Sequence, residues 1–217
     1  MSRHSVSRDG RARPGPRVTV VGCDGAPLRD EAAWALAEAC LVVGGQRHLS
    51  RVAIPEGART LVMGAVREAL DAVCRAEEPV VVLASGDPGF FGIVRALRAR
   101  GLTPDVVPAV SSVSAVFARV GLPWDDALVV SAHGRALAPA VNACRAHPKV
   151  AVLTAPGTGP DALGRALRGV PRTLVVAEDL GADGESVTRC TPDEAAGRPW
   201  RDPSVVLVLD ESRAVGE

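Results

Sequence analysis

The sequence has little of several features that would point at once to a function. Lys149 is the only lysine among 25 basic residues, and 25 acidic residues bring the formal net charge to zero. This balance provides no basic surface of the kind that binds nucleic acid, so we expect no nucleic-acid partner. No stretch approaches the roughly 18 consecutive apolar residues of a membrane-spanning helix, so we expect no membrane insertion.

Because lysine is nearly absent, arginine supplies almost all of the positive charge. A genome rich in GC codons would produce this bias without any functional reason. Alternatively, a few arginines hold a polyanionic ligand, because the planar guanidinium group matches a carboxylate with two parallel hydrogen bonds. The composition leaves both explanations open.

Motifs for metals, nucleotides and common hydrolases are also missing. The five cysteines form no CxxC pair and have no histidine at zinc-finger spacing, so we predict neither a metal site nor a disulfide framework. Free cysteines fit the reducing cytoplasm, where we expect the protein to be located. The absence of GxGxxG, GxxxxGK[ST] and GxSxG leaves dinucleotide binding, P-loop phosphate binding and a nucleophile elbow unsupported.

Short valine-rich runs alternate with helical patterns along most of the chain. The apolar run at residues 79–84 predicts a central parallel strand that is covered on both faces. The pattern starts again after residue 121 and ends in three strands with little helix between them, which indicates a mixed sheet. We therefore predict an α/β protein with a disordered leader at 1–16 and two α/β domains at 17–121 and 122–212.

The segment SGDPGFFG at residues 85–92 follows the predicted central strand. In open α/β sheets, ligands bind beyond the carboxyl ends of the strands, which makes this segment a candidate site. Asp87 could cap the helix that follows, with Pro88 in its first turn. Alternatively, it could accept hydrogen bonds from ligand hydroxyl groups or attract a cation. A plain turn would not need this whole combination of Gly, Asp, Pro and two Phe residues.

Three further segments are weaker candidates. Ser111 and Ser112 follow another strand, either as a helix N-cap or as small side chains that leave room for a ligand. His133 follows the first strand of the second domain, where it could reach a cleft between the domains or be a surface or capping residue. Arg47 and His48 follow the second strand, where they could bind carboxylates or be solvated.

In combination, these motifs resemble the tetrapyrrole methylase family of cobalamin synthesis, and within it the branch that methylates C5 of a corrinoid precursor. Gly-Asp-Pro marks only the broad family, whereas RHL, GLPWD and HGR are specific to the branch. The resemblance covers residues 17–210 and rests on the segments VVG (20–22), VGGQRHL (43–49), SGDPGFFG (85–92), PAVSSV (108–113), GLPWD (121–125), SAHGR (131–135), LT (153–154), EDLG (178–181) and VTR (187–189).

The resemblance implies S-adenosylmethionine bound in a cleft between two α/β domains, usually in a homodimer. It implies transfer of the cofactor's methyl group to C5 of a precorrin or cobalt-precorrin. The cofactor contacts that it implies are Ser85, Gly86, Asp87, Phe90, Ser111, Ser112, Thr154 and Leu180. The tetrapyrrole carries acetate and propionate groups, for which it implies Arg47, His48 and Arg135 as partners, with His133 as a candidate base.

Two departures from the family pattern bear on these expectations. The first turn, at residues 22–25, is shorter than the family's glycine-containing loop, so we assign it no cofactor contact. Pro108 and Ala109 stand where the family has Pro-Gly.

The chain has no room for the companion domain that methylates C15 and decarboxylates an acetate arm in fused relatives, so we expect a separate protein for that step. A tetrapyrrole methylase of other regiospecificity and a non-catalytic corrinoid-binding or cofactor-binding module stay open.

Overall fold

The computed structural model describes residues 17–214, and the predicted leader at 1–16 lies outside the described residues. Ten strands and nine helices make up this part of the chain, and they alternate except that β9 directly follows β8. The strands are β1 (Val18–Cys23), β2 (Leu41–Gly44), β3 (Arg59–Val62), β4 (Val80–Ser85), β5 (Asp105–Val107), β6 (Leu128–Ser131), β7 (Lys149–Leu153), β8 (Thr173–Glu178), β9 (Ser186–Cys190) and β10 (Ser204–Leu209).

The helices are α1 (Asp30–Ala37), α2 (Gln46–Leu49), α3 (Val66–Arg75), α4 (Ile93–Arg98), α5 (Ser112–Val120), α6 (Ala138–Ala146), α7 (Pro160–Ala166), α8 (Pro192–Ala196) and α9 (Glu211–Ala214). Among residues 17–214, none of these helices combines the length and the apolar character needed to cross a bilayer.

By their internal contacts, the residues fall into two compact units. The first unit comprises the described residues up to Val21, together with Arg29–Ala84 and Gly92–Val107. Its sheet has the order β3-β2-β4-β1-β5, and the registered pairs β1–β5, β2–β3 and β2–β4 are parallel. The central strand β4 is buried, with Val81 1% and Leu83 2% exposed, which confirms the central strand predicted from the apolar run.

The second unit comprises Gly22–Leu28, Ser85–Phe91 and the described residues from Pro108 onward. Its sheet has the order β6-β7-β10-β8-β9. β6 runs parallel to β7, whereas the pairs β7–β10, β10–β8 and β8–β9 are antiparallel. This confirms the predicted mixed sheet. Buried clusters cover both faces of the sheet, one with residues of α6 and α7 and the other with residues of α5.

Helix α5 explains why the contact-defined units differ from the predicted ranges 17–121 and 122–212. The strands of the two sheets do fall on either side of residue 122. However, Val113, Val116 and Phe117 of α5 pack against Val175 and Leu207 of the second sheet. The helix therefore belongs to the second unit, because its apolar side chains are buried there.

The single lysine is part of the core of the second unit. Lys149 opens strand β7, and its side chain is 3% exposed. Its Nζ donates to Oδ1 of Asp126 at 2.6 Å and to the carbonyl oxygen of Pro123 at 3.1 Å. The ion pair and the second hydrogen bond compensate the buried charge, as a buried ammonium group requires.

Candidate functional site

Three loops that follow strands of the first sheet make their contacts within the second unit. Loop 1 is Gly22–Leu28 at the end of β1, and loop 2 is Ser85–Phe91 at the end of β4. Loop 3 is residues 108–111, between β5 and α5. The carboxyl ends of neighbouring parallel strands are therefore gathered in one place, where α/β proteins bind ligands.

The three loops are in backbone contact. A side chain at Gly22 would place its Cβ 2.4 Å from the carbonyl oxygen of Gly86 and 2.6 Å from the amide nitrogen of Ala109. The N–H of Gly86 donates to the carbonyl oxygen of Cys23 at 2.7 Å. Only glycine fits at position 22, because any Cβ there would push loops 2 and 3 away from loop 1.

Asp24 joins loop 1 to loop 3 through both carboxylate oxygens. Oδ1 accepts from the N–H of Ala26 at 3.0 Å, within loop 1. Oδ2 accepts from the N–H of Val110 at 3.0 Å, in loop 3. No role of Asp24 is predicted from the sequence, although an acidic residue between Gly22 and Gly25 at a strand end is a usable signal.

Asp87 forms a turn inside loop 2 and caps no helix. Its Oδ1 accepts from the N–H of Gly89 at 2.8 Å. Helix α4 begins only at Ile93, with Gly92 at its N-cap and no side-chain cap. The helix-capping interpretation of Asp87 and the placement of Pro88 in the first helical turn are therefore wrong, because a turn separates Pro88 from the helix. Within residues 17–214, the half-buried carboxylate accepts no further hydrogen bond.

Ser111 is the N-cap of α5, as the capping interpretation predicted. Its hydroxyl oxygen accepts from the N–H of Ser114 at 3.0 Å, and Ser112 is the first residue of the helix. Both serines lie beside loop 2, since a Cβ on Gly86 would come within 3.3 Å of Ser111 and Ser112 backbone atoms.

The two phenylalanines of loop 2 have different surroundings. Phe90 packs against the α5 side of the second sheet, against the same buried cluster as Leu153 and Leu180. Phe91 has a φ of 55° and is 38% exposed. The Cζ atom of Arg135 lies 5.7 Å from the centroid of the Phe91 ring. The structure thus places Phe90 and Leu180 against one apolar cluster, and it places the Arg135 side chain against Phe91 of loop 2.

His133 and Thr154 lie in the loops that follow β6 and β7. Nδ1 of His133 is 3.4 Å from the carbonyl oxygen of Thr154, and the ring is exposed. If Nδ1 carries the proton in this hydrogen bond, Nε2 is the basic nitrogen. The Thr154 hydroxyl is buried and bonded to Ser204, 2.5 Å from its carbonyl oxygen and 2.8 Å from its Oγ.

The turn after β8 is fixed by a carboxylate. Gly181 leaves no room for a side chain, because a Cβ there would lie 1.9 Å from the carbonyl oxygen of Asp24. The N–H of Gly181 donates to Oε2 of Glu185 at 2.8 Å, and Arg119 of α5 binds both oxygens of Glu185 at 2.5 and 3.2 Å. The hydrogen bond from Arg119, and to a lesser degree the one from Gly181, lowers the pKa of Glu185 below its ordinary value.

Arg47 and His48 belong to the first unit, on the short helix α2. Burial, with the nearby charges of Arg47 and Arg51, lowers the pKa of His48 to about 4. His48 is therefore neutral at neutral pH, and its ring can donate a hydrogen bond to a carboxylate. Over residues 17–214, no group of three His, Cys, Asp or Glu side chains is arranged to hold a metal ion.

Comparison with known proteins identifies relatives of the chain. Residues 18–196 match the profile of the family described as Tetrapyrrole (Corrin/Porphyrin) Methylases. A precorrin-6Y C(5,15)-methyltransferase [decarboxylating] from Sinorhizobium sp is 40% identical over 193 residues, which are 84% of this chain and 47% of that protein. The chain thus spans about half the length of this relative.

Two other matches cover nearly the whole of the relative. A cobalt-precorrin-7 C(5)-methyltransferase from Salmonella typhimurium is 32% identical over 203 residues, which are 89% of this chain and 99% of that protein. The crystal structure of uroporphyrin-III C-methyl transferase from Thermus thermophilus, in complex with S-adenosylhomocysteine, superposes with a TM-score of 0.67 at 24% identity. That match covers 91% of this chain and 99% of the other, and it shows the α/β fold with two sheets.

Proposed function

The chain belongs to the tetrapyrrole methylase family, and from this premise we propose that it transfers a methyl group from S-adenosylmethionine to C5 of a precorrin or cobalt-precorrin in cobalamin biosynthesis. The names of the Sinorhizobium and Salmonella relatives, which both specify C5, support this position. The observation that carries the proposal is Asp87, a half-buried carboxylate in a loop that caps no helix. Such a carboxylate is suited to accept hydrogen bonds from the hydroxyl groups of a bound nucleoside.

The residues present fit this cofactor. S-adenosylmethionine, when bound, supplies a methyl group that its sulfonium already activates. Loop 2 would hold the methionine and ribose portions through Ser85, Gly86, Asp87 and Phe90, with Ser111 and Ser112 beside them. Leu180 and Thr154 would face the adenine. Because the Thr154 hydroxyl is bonded to Ser204, the contact proposed for Thr154 comes from its backbone.

The protein's contribution to the reaction is positioning, exclusion of water and removal of one proton. Aligning the methyl donor with a carbon nucleophile makes the step effectively unimolecular. Phe90 and Leu180, which share one apolar cluster, would keep water from the reacting atoms. We assign removal of this proton to Nε2 of His133, because the hydrogen bond between Nδ1 and the carbonyl oxygen of Thr154 orients the ring.

Arg135, Arg47 and the neutral His48 are the proposed partners of the substrate carboxylates. Guanidinium groups pair with carboxylates through two hydrogen bonds, and His48 would donate one. We further propose a homodimer in the cytoplasm. We assign the C15 methylation and decarboxylation to a separate protein, which is supported by the relative that is named for C5 alone and matched over 99% of its length.

Calorimetric titration with S-adenosylhomocysteine tests the cofactor assignment. We expect Asp87→Asn to weaken binding by about 10- to 100-fold, the loss of charge-assisted hydrogen bonds. Asp125→Asn, an exposed carboxylate of the same unit, is the matched control and should bind like the wild type. His133→Gln should bind normally and transfer labelled methyl groups more slowly.

Two results would contradict the proposal at different points. Equal affinity of Asp87→Asn and wild type would move the cofactor away from loop 2. A folded wild-type protein that binds no S-adenosylhomocysteine at millimolar concentration, and transfers no methyl group, would reject the methyltransferase assignment.

A further inference from the structure

Phe91 adopts a backbone conformation that large side chains avoid. Its φ of 55° lies in the left-handed region, although glycines precede and follow the pair Phe90-Phe91 and could have taken this position. A bulky residue at positive φ is strained, and such strain persists where the surrounding structure enforces it. Loop 2 therefore holds the Phe91 ring in a particular place against a conformational preference.

The Phe91 ring contacts Phe90, a neighbour that is itself anchored by packing. Phe90 is anchored against the buried cluster of the second sheet. The Phe91 ring meets the Phe90 ring edge to face, with centroids 5.1 Å apart and an interplanar angle of 84°. This is the favoured aromatic geometry, and it leaves Phe91 38% exposed. The partly exposed Phe91 ring is thus in contact with the ring of its anchored neighbour.

Arg135 lies over this ring and is charged without a carboxylate partner. Its Cζ is 5.7 Å from the ring centroid, within the range of a cation–π contact. Within residues 17–214, Arg135 forms no ion pair. Arg145 and Arg213 share this lack among the described residues of the second unit, whereas seven other arginines there pair with carboxylates: Arg119, Arg165, Arg168, Arg172, Arg189, Arg198 and Arg201.

We propose that Phe91 is a positioning residue that holds the Arg135 guanidinium ready to bind a carboxylate arm of the tetrapyrrole. The inference rests on the proposed function, since it takes the substrate to be a corrinoid with free acetate and propionate groups. An aromatic face restricts the guanidinium without neutralising it, so its hydrogen-bond donors stay available. An ion pair in the same place would have occupied them.

Equilibrium dialysis with two corrins tests the pair. The first probe is dicyanocobyrinic acid, whose side arms are free carboxylates, and the second is dicyanocobinamide, whose arms are amides. We expect the wild type to bind the acid more tightly than the amide. Arg135→Gln should reduce this preference about 10-fold or more, and Phe91→Leu about 2- to 5-fold. Phe91→Tyr keeps the aromatic face and should keep the preference.

The variants are first checked for unchanged affinity for S-adenosylhomocysteine, which a misfolded loop 2 would lose. Phe91→Leu with the wild-type preference would overturn the inference, as would loss of the preference in Phe91→Tyr or its absence from the wild type. The double variant Phe91→Leu/Arg135→Gln should lose no more than Arg135→Gln alone, and additive losses would also overturn it. If the preference depends on Phe91 while the wild type transfers no methyl group, the proposed function fails and the Phe91–Arg135 pair stands.

Discussion

Phe91 and Asp179 are the two non-glycine residues between 17 and 214 with a left-handed backbone, at φ values of 55° and 51°. Both lie in loops at strand ends, Phe91 in loop 2 and Asp179 directly after β8. Aspartate tolerates this conformation because its short side chain bonds locally, whereas phenylalanine does not. Position 91 therefore retains strain that a glycine would relieve.

Two pairs of substitutions measure this strain. Phe91→Gly should be more stable than Phe91→Ala by about 1 kcal/mol, because alanine keeps the unfavourable φ and glycine does not. At Phe90, where φ is not positive, alanine should be at least as stable as glycine. Urea unfolding of the four variants gives both differences. The same order at the two positions would show that position 91 is unstrained.

At the scale of elements, the strand-end loops are connected by carboxylates. Asp24 connects loop 1 to loop 3 across 86 residues of sequence. Glu185 connects the turn at Gly181 to Arg119 of helix α5, whose first residue lies beside loop 2. Each link uses an acidic residue that accepts from a backbone N–H. The position of the loops thus depends on acidic side chains as well as on apolar packing.

The Glu185 link gives a pH dependence with a definite sign. Its pKa in the folded protein is lowered by Arg119 and the Gly181 N–H, so its contribution to stability is complete above the unfolded value near 4.5 and is lost as the pH falls through the lower folded value. Glu185→Gln should therefore be less stable than the wild type by about 1 kcal/mol at neutral pH.

In urea unfolding, this difference should shrink towards zero as the pH falls through the lowered pKa of the folded Glu185 carboxyl, because the protonated carboxyl resembles the amide. Glu56→Gln, at an exposed position of the first unit, is the control and should match the wild type at every pH. A Glu185→Gln deficit that stays constant with pH would exclude the ionised carboxylate as its cause.

The sequence predicts where the strands and the strand-end loops lie along the chain, but it does not predict which residues of these loops contact one another. Apolar runs predict β4 and β10, which the structure has. The unusual composition of loop 2 predicts a site there, and this stays a prediction. The Asp24–Val110 bond and the left-handed Phe91 depend on residues distant in sequence, or on packing that composition does not record. For the same reason, no local pattern indicated that α5 packs with the second unit.

At the scale of the whole molecule, the two units defined by contacts are not two consecutive halves of the sequence. The strands divide near residue 122, yet loops 1 and 2 and helix α5, all from the first half, have their contacts in the second unit. A division at residue 122 would separate α5 from the apolar cluster that it covers. The division into domains at that residue stays a prediction, and the contacts favour one near Pro108.

The proposed reaction has a product that differs from that of the Sinorhizobium relative, which is named as decarboxylating and is about twice as long. With a precorrin or cobalt-precorrin substrate and labelled S-adenosylmethionine, we expect one methyl group per product and no release of carbon dioxide. Mass spectrometry with gas trapping measures both. A second methyl group or released carbon dioxide would contradict a separate protein for C15.

Light scattering of the same sample tests the homodimer, which predicts twice the chain mass.

The burial of Lys149 has a consequence for how the chain can be modified and degraded. As the only lysine, 3% exposed and paired with Asp126, it leaves no side-chain amine on the surface of the folded protein. Enzymes that acetylate lysine or attach a degradation tag to it need an accessible amine. For this chain, any such mark on a lysine requires that the Lys149 side chain first leaves its buried pair with Asp126, so it would report a local loss of the folded structure.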